Sequence, residues 1–243
     1  MARRQVSYGK CFFCEHAFAK NAITRHLESC PARQEFIAKE NGKPAQLFHL
    51  LVEGREEPKY WLHIEIPASS NLVELDNFLR AIWLECCGHL SQFTIDNVFY
   101  PSHPDPDDPM STLFGREEES MKTKLARILK DGDIFLHEYD FGTTTELKLK
   151  VVGSREGTPL KQGVRILARN YAPVYPCTQC TKQAKWLYVY EYPYDGYCEE
   201  HAEEHDEWEE AFMPIVNSPR AGECGYDGPY NNALEFEETY FKN

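Results

Sequence analysis

Six of the nine cysteines fall at spacings that suit metal ligands. Cys11-Phe-Phe-Cys14 is a short knuckle; eleven residues separate it from His26, and three more separate His26 from Cys30. Far along the chain, Cys177-Thr-Gln-Cys180 repeats the knuckle, and seventeen residues later comes Cys198-Glu-Glu-His201. Thiolate sulfur and neutral imidazole nitrogen are the donors of closed, tetrahedral zinc sites. The spacing therefore predicts two structural zinc ions per chain, one held by Cys11, Cys14, His26 and Cys30, the other by Cys177, Cys180, Cys198 and His201. His16 is an alternative donor in the first set, and His205, one turn past His201, in the second. The first module is too small to fold on its own core, so zinc supplies its folding energy, about 10–16 kcal/mol in apparent terms.

Local elements must bring these donors together. On a helix, His26 and Cys30 stand at i and i+4 and share a face. Phe18 and Ile23 fall where a ββα finger keeps its small core, although the gap before His26 is one residue shorter than in the usual finger. At the other end, Trp186 to Tyr190 and the turn Pro193-Tyr194-Asp195-Gly196 make a hairpin between two ligand pairs. The second pair opens a helix. That order is the order of a treble-clef or zinc-ribbon module.

Between the two modules lies the best core-former, residues 47–100. Leu47 to Val52 is apolar, and Tyr60 to Ile66 alternates, with Leu62, Ile64 and Ile66 opposite Trp61, His63 and Glu65. The alternation predicts a strand with one wet face. Asn71 and Glu74 have capping-box spacing. Leu72, Leu75, Phe78, Leu79, Ile82 and Trp83 follow as one helical apolar stripe that needs a sheet to pack on. Asp96-Asn97 predicts a tight hairpin turn. A helix is expected over 117–130, a strand pair over 134–141 and 147–152, and a last strand from Arg165 to Ala172. The acidic loop with Asp105, Asp107 and Asp108 lacks the glycine and distal glutamate of a calcium loop. Asp140-Phe141-Gly142 stands without any companion kinase motif and reads as a turn. The fold class expected is α+β, an antiparallel or mixed sheet packed on helices. The domains expected are residues 1–43 (N-terminal zinc finger), 45–173 (central α+β domain) and 174–243 (C-terminal zinc module with a glycine-rich tail).

The central segment resembles the Ri-plasmid ORF-3-like family, sometimes labelled insertion-element passenger resolvase. The residues that carry the likeness are the strand end from Trp61 to Pro67, the helix from Leu72 to Trp83, and His89-Leu90-x-x-Phe93-x-Ile95. Gly132-Asp133 and Tyr139-Asp140-Phe141-Gly142 extend it. The resemblance spans roughly residues 45–170 and implies an α+β fold more than an activity. Where many members continue into a C-P-P-E-D-C-G-G-type tail, this chain has its second cysteine module.

Charge narrows the functional classes. The net charge is −13. Residues 1–43 hold eight Lys/Arg against four Glu, whereas residues 174–243 hold four against fifteen acidic residues. An acidic chain is a poor general binder of phosphate backbones, so nucleic-acid contact would fall to Lys10, Lys20, Arg25 and Arg33. Eight acidic residues between Glu199 and Glu210 form a solvated face or a dock for a basic partner. No apolar run approaches a membrane span, and no secretory leader follows Met1. A cytoplasmic location is expected, where nine cysteines point to metal rather than disulfides. Cys86 and Cys87 read as buried apolar residues, and Cys224 as a thiol in a glycine-rich loop packed on the core. No recombinase or paired-carboxylate motif is present. The function expected is a non-enzymatic zinc adaptor for a protein and/or nucleic acid. The alternatives are a DNA-processing enzyme or accessory factor of a mobile element, and a small-molecule domain with a pocket near Trp61, His63 and His89.

Overall fold

A computed structural model describes residues 6–104, 117–160 and 163–239. The chain divides into two compact units: Met1–Leu79 with His89–Asn170, and Arg80–Gly88 with Tyr171–Asn243. It is a mixed α+β protein with a large antiparallel sheet and few helices. Among the described residues, no helix is long and apolar enough to cross a membrane.

The first unit is built on nine strands. They are β1 (Tyr8–Cys11), β2 (Ala17–Ala19), β3 (Ala45–Gly54), β4 (Trp61–Pro67), β5 (Ser91–Ile95), β6 (Val98–Pro101), β7 (Ile134–Tyr139), β8 (Thr145–Gly157) and β9 (Arg165–Asn170). Their order across the sheet is β2-β1-β9-β4-β3-β8-β7-β5-β6, with every neighbouring pair antiparallel. The hairpin β3–β4 forms as the sequence predicts, pairing Leu47 with Pro67 through to Glu53 with Trp61. The β5–β6 turn is also as expected. Asp96 and Asn97 both take positive φ, 50° and 66°, the twist that a two-residue hairpin loop needs.

Strand β4 departs from expectation, because every residue from Trp61 to Pro67 is buried. The face expected to be wet is covered by the N-terminal segment, which joins the same sheet through β1–β9 pairing. Helices α1 (Lys20–Ser29) and α2 (Pro31–Ala38) belong to this segment. Ile23 and Leu27 of α1 pack with Cys11, Cys30, Trp61 and Leu167 into one apolar cluster. Gly9 lets β1 pass against the Trp61 ring; a Cβ there would collide with that ring and with the Arg169 carbonyl.

The polar residues of that face are satisfied from the same side. Arg33 of α2 donates to Glu65 at 2.8 Å. Arg155 holds Glu65 through two hydrogen bonds, 2.6 and 2.9 Å, and Arg165 reaches it at 3.1 Å. Glu40 bridges the same two arginines, at 2.9 Å from Arg155 and 3.2 Å from Arg165. Burial alone would raise the Glu65 carboxyl, but hydrogen bonds and charge from Arg155 and Arg33 hold it below its usual range. His63 and His49 share a 2.8 Å hydrogen bond and are buried. Trp61 and His63, which the small-molecule alternative would place near a pocket, are fully buried in the core.

After Pro67 the chain enters α3 (Leu72–Leu79), whose start is a complete capping box. The Asn71 N–H donates to the Glu74 carboxylate at 2.9 Å, and the Glu74 N–H donates to the Asn71 side chain at 3.0 Å. Asp76 of α3 accepts from His137 of β7 at 2.7 Å, both buried, which ties α3 to the sheet. The helix expected over 117–130 is reduced to one turn, α4 (Leu125–Ile128). The backbone before it pairs elsewhere. Met121 accepts from Val73, while Leu125 and Ala126 donate to Ser70 and Ala68. Those bonds compete with helix formation and win. Asp140-Phe141-Gly142 is a turn, with the Asp140 carboxylate accepting from Gly142 and Thr143. The acidic loop with Asp105, Asp107 and Asp108 lies outside the described residues.

The second unit begins where α3 gives way to a wider, π-helical turn over Arg80–Leu84, with the Glu85 N–H bonded to the Arg80 carbonyl. Ile82 and Trp83 are buried and belong to the second unit. Trp83 donates from its indole to the Asn217 carbonyl at 3.0 Å, and its own carbonyl accepts from Ser218 at 2.7 Å. Residues 214–228 pack here, with Asn217, Ser218, Arg220 and Tyr226 buried. The unit also holds a small sheet of β10 (Trp186–Tyr188), β11 (Asp195–Tyr197) and β12 (Phe212–Pro214), ordered β11-β10-β12, and the short helices α5 (Glu199–Glu203) and α6 (Trp208–Ala211).

Two measurements check this packing. Glu65→Gln removes the carboxylate from buried Arg33 and leaves half-buried Arg155 and Arg165 with Glu40 alone, and urea unfolding should show a loss of about 3–5 kcal/mol, as for a broken buried ion pair. Burial, then the Arg33 charge, pushes His49 down to about 3, and burial lowers His63 well below its ordinary value. An unfolded imidazole takes its proton near 6.5. The unfolded state thus binds more protons, and stability contributed by the pair is present above about pH 6.5 and lost as pH falls toward 3. Nitrogen-15 NMR should find both imidazoles neutral at pH 5; protonated shifts there would contradict the buried pair.

Candidate metal centres

The first donor set is assembled by β1, the turn after it, and α1. Glu15 donates its N–H to the Cys11 carbonyl at 2.8 Å and takes φ 60°, and Cys11 donates to the His16 carbonyl at 3.1 Å. This closes the knuckle so that Cys11 and Cys14 face the same way. His26 sits in the last turn of α1. Cys30 follows as its C-cap in an extended conformation, ψ 115°, as a residue before proline prefers. Pro31 then opens α2 at its first position. The Cys11 and Cys30 sulfurs lie 4.0 Å apart, and the Cys14 sulfur lies 3.4 Å from His26 Nε2. Phe18 stacks on the His26 ring at 3.7 Å and orients it. His16 is exposed and lies outside the set.

The second set is built the same way from different elements. Lys182 donates its backbone N–H to the Cys180 sulfur at 3.4 Å, and Gln179 donates to the Cys177 sulfur at 3.5 Å. The β10–β11 hairpin returns the chain to Cys198, and α5 carries His201. Cys180 and Cys198 sulfurs are 3.8 Å apart; His201 Nδ1 lies 3.4 Å from Cys177 and 3.5 Å from Cys198. His205 takes another role. It packs among Tyr188, Tyr197 and Phe212, and its Nδ1 accepts from the Glu207 N–H.

In each set the four donor atoms lie within 4.8 Å of one another and could hold a metal ion. None of the nine cysteines is in a disulfide. Burial pushes the Cys11 thiol up to about 12, so a thiolate there needs a cation beside it. At Cys177 burial also works against the thiolate, but backbone N–H groups and His201 bring it down to about 6.

Two of the four cations considered for phosphate contact are paired with carboxylates. Arg33 is 8% exposed and occupied by Glu65 and the Leu27 carbonyl. Lys20 pairs with Glu53 at 2.5 Å and donates to the Pro58 carbonyl. Lys10 is half-buried within β1, and Arg25 is exposed on α1. Cys86 and Cys87 correct the expectation of buried apolar residues: Cys86 is half-buried and Cys87 exposed, as is Cys224. They follow the π-helical turn, which ends at Leu84. His89, the remaining pocket candidate, packs edge-on to Tyr139 and lies 3.6 Å from Asp140.

The sequence model of one family, described as plasmid pRiA4b ORF-3-like protein, matches residues 48–217. The chain belongs to that family. The match runs past residue 170, where the likeness was expected to end, and includes Cys177, Cys180, Cys198 and His201. The first donor set lies before it. No curated protein matches the chain. Among solved structures it is similar to MM3350 from Methanosarcina mazei Go1, a protein of unknown function. The identity is 19%, the TM-score is 0.37, and the match covers 68% of this chain and 86% of that one.

If both sets hold metal, His201→Ala should release one bound ion per chain while His205→Ala retains full content, as measured by elemental analysis of the purified variants. Equal loss from both, or from neither, would contradict the ligand assignment.

Proposed function

We propose that the protein is a non-enzymatic adaptor whose two Cys3His sites hold structural zinc and whose acidic second unit binds a basic protein partner. The observation that carries the zinc reading is the spacing of the donors. A tetrahedral zinc with sulfur at about 2.3 Å and nitrogen at about 2.0–2.1 Å separates two sulfurs by about 3.8 Å, and sulfur from nitrogen by about 3.6 Å. The sulfur pairs stand at 4.0 and 3.8 Å and the sulfur–nitrogen pairs at 3.4–3.5 Å. Cu(I) and iron also take thiolates, but three sulfurs and one imidazole in a closed shell suit zinc. The N-terminal set is a finger-like module and the C-terminal set a treble-clef or ribbon-like one.

The choice of partner rests on charge. Glu203, Glu204, Asp206, Glu209 and Glu210 are exposed around α5 and α6, and Tyr190 and Tyr192 of the same unit are exposed as well. Acidic side chains steer a basic surface, and tyrosines supply contact area at low entropic cost. Nucleic-acid binding through the N-terminal module is less favoured, since Lys20 and Arg33 are already committed to carboxylates.

Two experiments test the parts separately. Cys14→Ser and Cys180→Ser should each lower zinc by one equivalent per chain; unchanged zinc in either would overturn that site. Affinity capture from native lysate should recover a nuclease-resistant basic protein. Glu203→Lys with Glu204→Lys and Glu209→Lys should abolish that recovery and keep the zinc content. Nuclease-sensitive recovery of nucleic acid that Arg25→Glu abolishes would contradict the protein-partner reading.

A further inference from the structure

A third group of thiols lies in the second unit. Cys86 and Cys87 follow the π-helical turn, and Cys224 comes from the loop that packs on it, with the three sulfurs within 4.8 Å of one another. Cys87 and Cys224 sulfurs are 4.0 Å apart across a sequence separation of 137 residues, the same separation as Cys11 and Cys30 in the first donor set.

Several independent contacts hold this arrangement. Arg220, fully buried, directs its Nη2 at the Cys86 sulfur at 3.4 Å. Hydrogen bonds to ligand sulfurs orient metal sites. Tyr230 donates to the Cys86 carbonyl at 3.1 Å. Gly88, at φ 75°, turns the chain after the cysteine pair, and its N–H is held by the Glu85 carboxylate. Ser218 and Tyr226 tie the Cys224 loop to the carbonyls of Trp83 and Ile82. Three sulfurs from two distant segments are thus fixed at ligand spacing with a buried cation behind one of them.

We infer that Cys86, Cys87 and Cys224 form a third metal site, for a thiophilic divalent cation of the zinc class. With Cys87 and Cys224 exposed, this ion sits nearer solvent than those of the other two sites and exchanges faster. Soft thiolates select such cations over calcium or magnesium, and each thiol releases its proton to solvent as the ion binds.

The test uses the full chain and zinc as the probe. Elemental analysis of protein purified under reducing conditions should give one more zinc equivalent than the two Cys3His sites account for. Cys224→Ser and Cys87→Ser should each remove that one equivalent and leave the circular dichroism spectrum unchanged. Cobalt substitution should show thiolate-to-cobalt charge transfer in the wild-type-minus-Cys224→Ser difference spectrum. Cys14→Ser and Cys180→Ser report the other two sites, so their failure is separable from failure here. Equal zinc in wild type and Cys224→Ser would overturn the inference. A Cys87–Cys224 disulfide in the reduced-purified protein, found by mass spectrometry, would overturn it equally.

Discussion

The first unit depends on how strand β4 is buried. It sits near the middle of a nine-stranded sheet with both faces covered, and the cover on the Trp61 face is the N-terminal segment. That segment is small. Only Ile23 and Leu27 of α1 are fully buried, and they cannot form a core without Cys11, Cys30 and Trp61. Whatever holds Cys11 and Cys30 together therefore also holds the lid on β4. A metal ion bound there would join two tasks, closing a minimal module and sealing the main sheet. The buried Glu65 network does the polar part of the same work, because its arginines come from α2, β8 and β9 at once.

The second unit solves the same problem with less apolar material. Its sheet strands are three residues long. Its interior relies on loop residues such as Asn217, Ser218 and Arg220, whose hydrogen bonds run to the turn at Trp83. Small cores of this kind need a staple, and the Cys177–His201 set stands where one is required. The acidic residues that follow it are left facing solvent, where they add nothing to the core and are available for recognition.

Signals confined to a few residues were legible in the sequence. Asn71 and Glu74 formed the capping box, Asp96-Asn97 the positive-φ turn, and the knuckle spacings the two donor groups that come together. Signals that depend on distant cover were not. The alternation in Trp61 to Ile66 reads as one wet face because nothing local announces that residues 9–33 will lie over it. The apolar positions at 121, 125, 128 and 129 match a helix, yet bonds from Val73 to Met121 and from Leu125 to Ser70 take the backbone first. Cys86 and Cys87 look like ordinary apolar residues until Cys224 arrives from 137 residues away.

The most direct test of the account is zinc K-edge X-ray absorption on the purified full chain, with Cys224→Ser used to isolate the two Cys3His sites. The account predicts a sulfur-rich first shell, with three sulfurs at about 2.3 Å and one nitrogen at about 2.0–2.1 Å per zinc. Protein that purifies without zinc, or a first shell made mainly of oxygen and nitrogen, would contradict it.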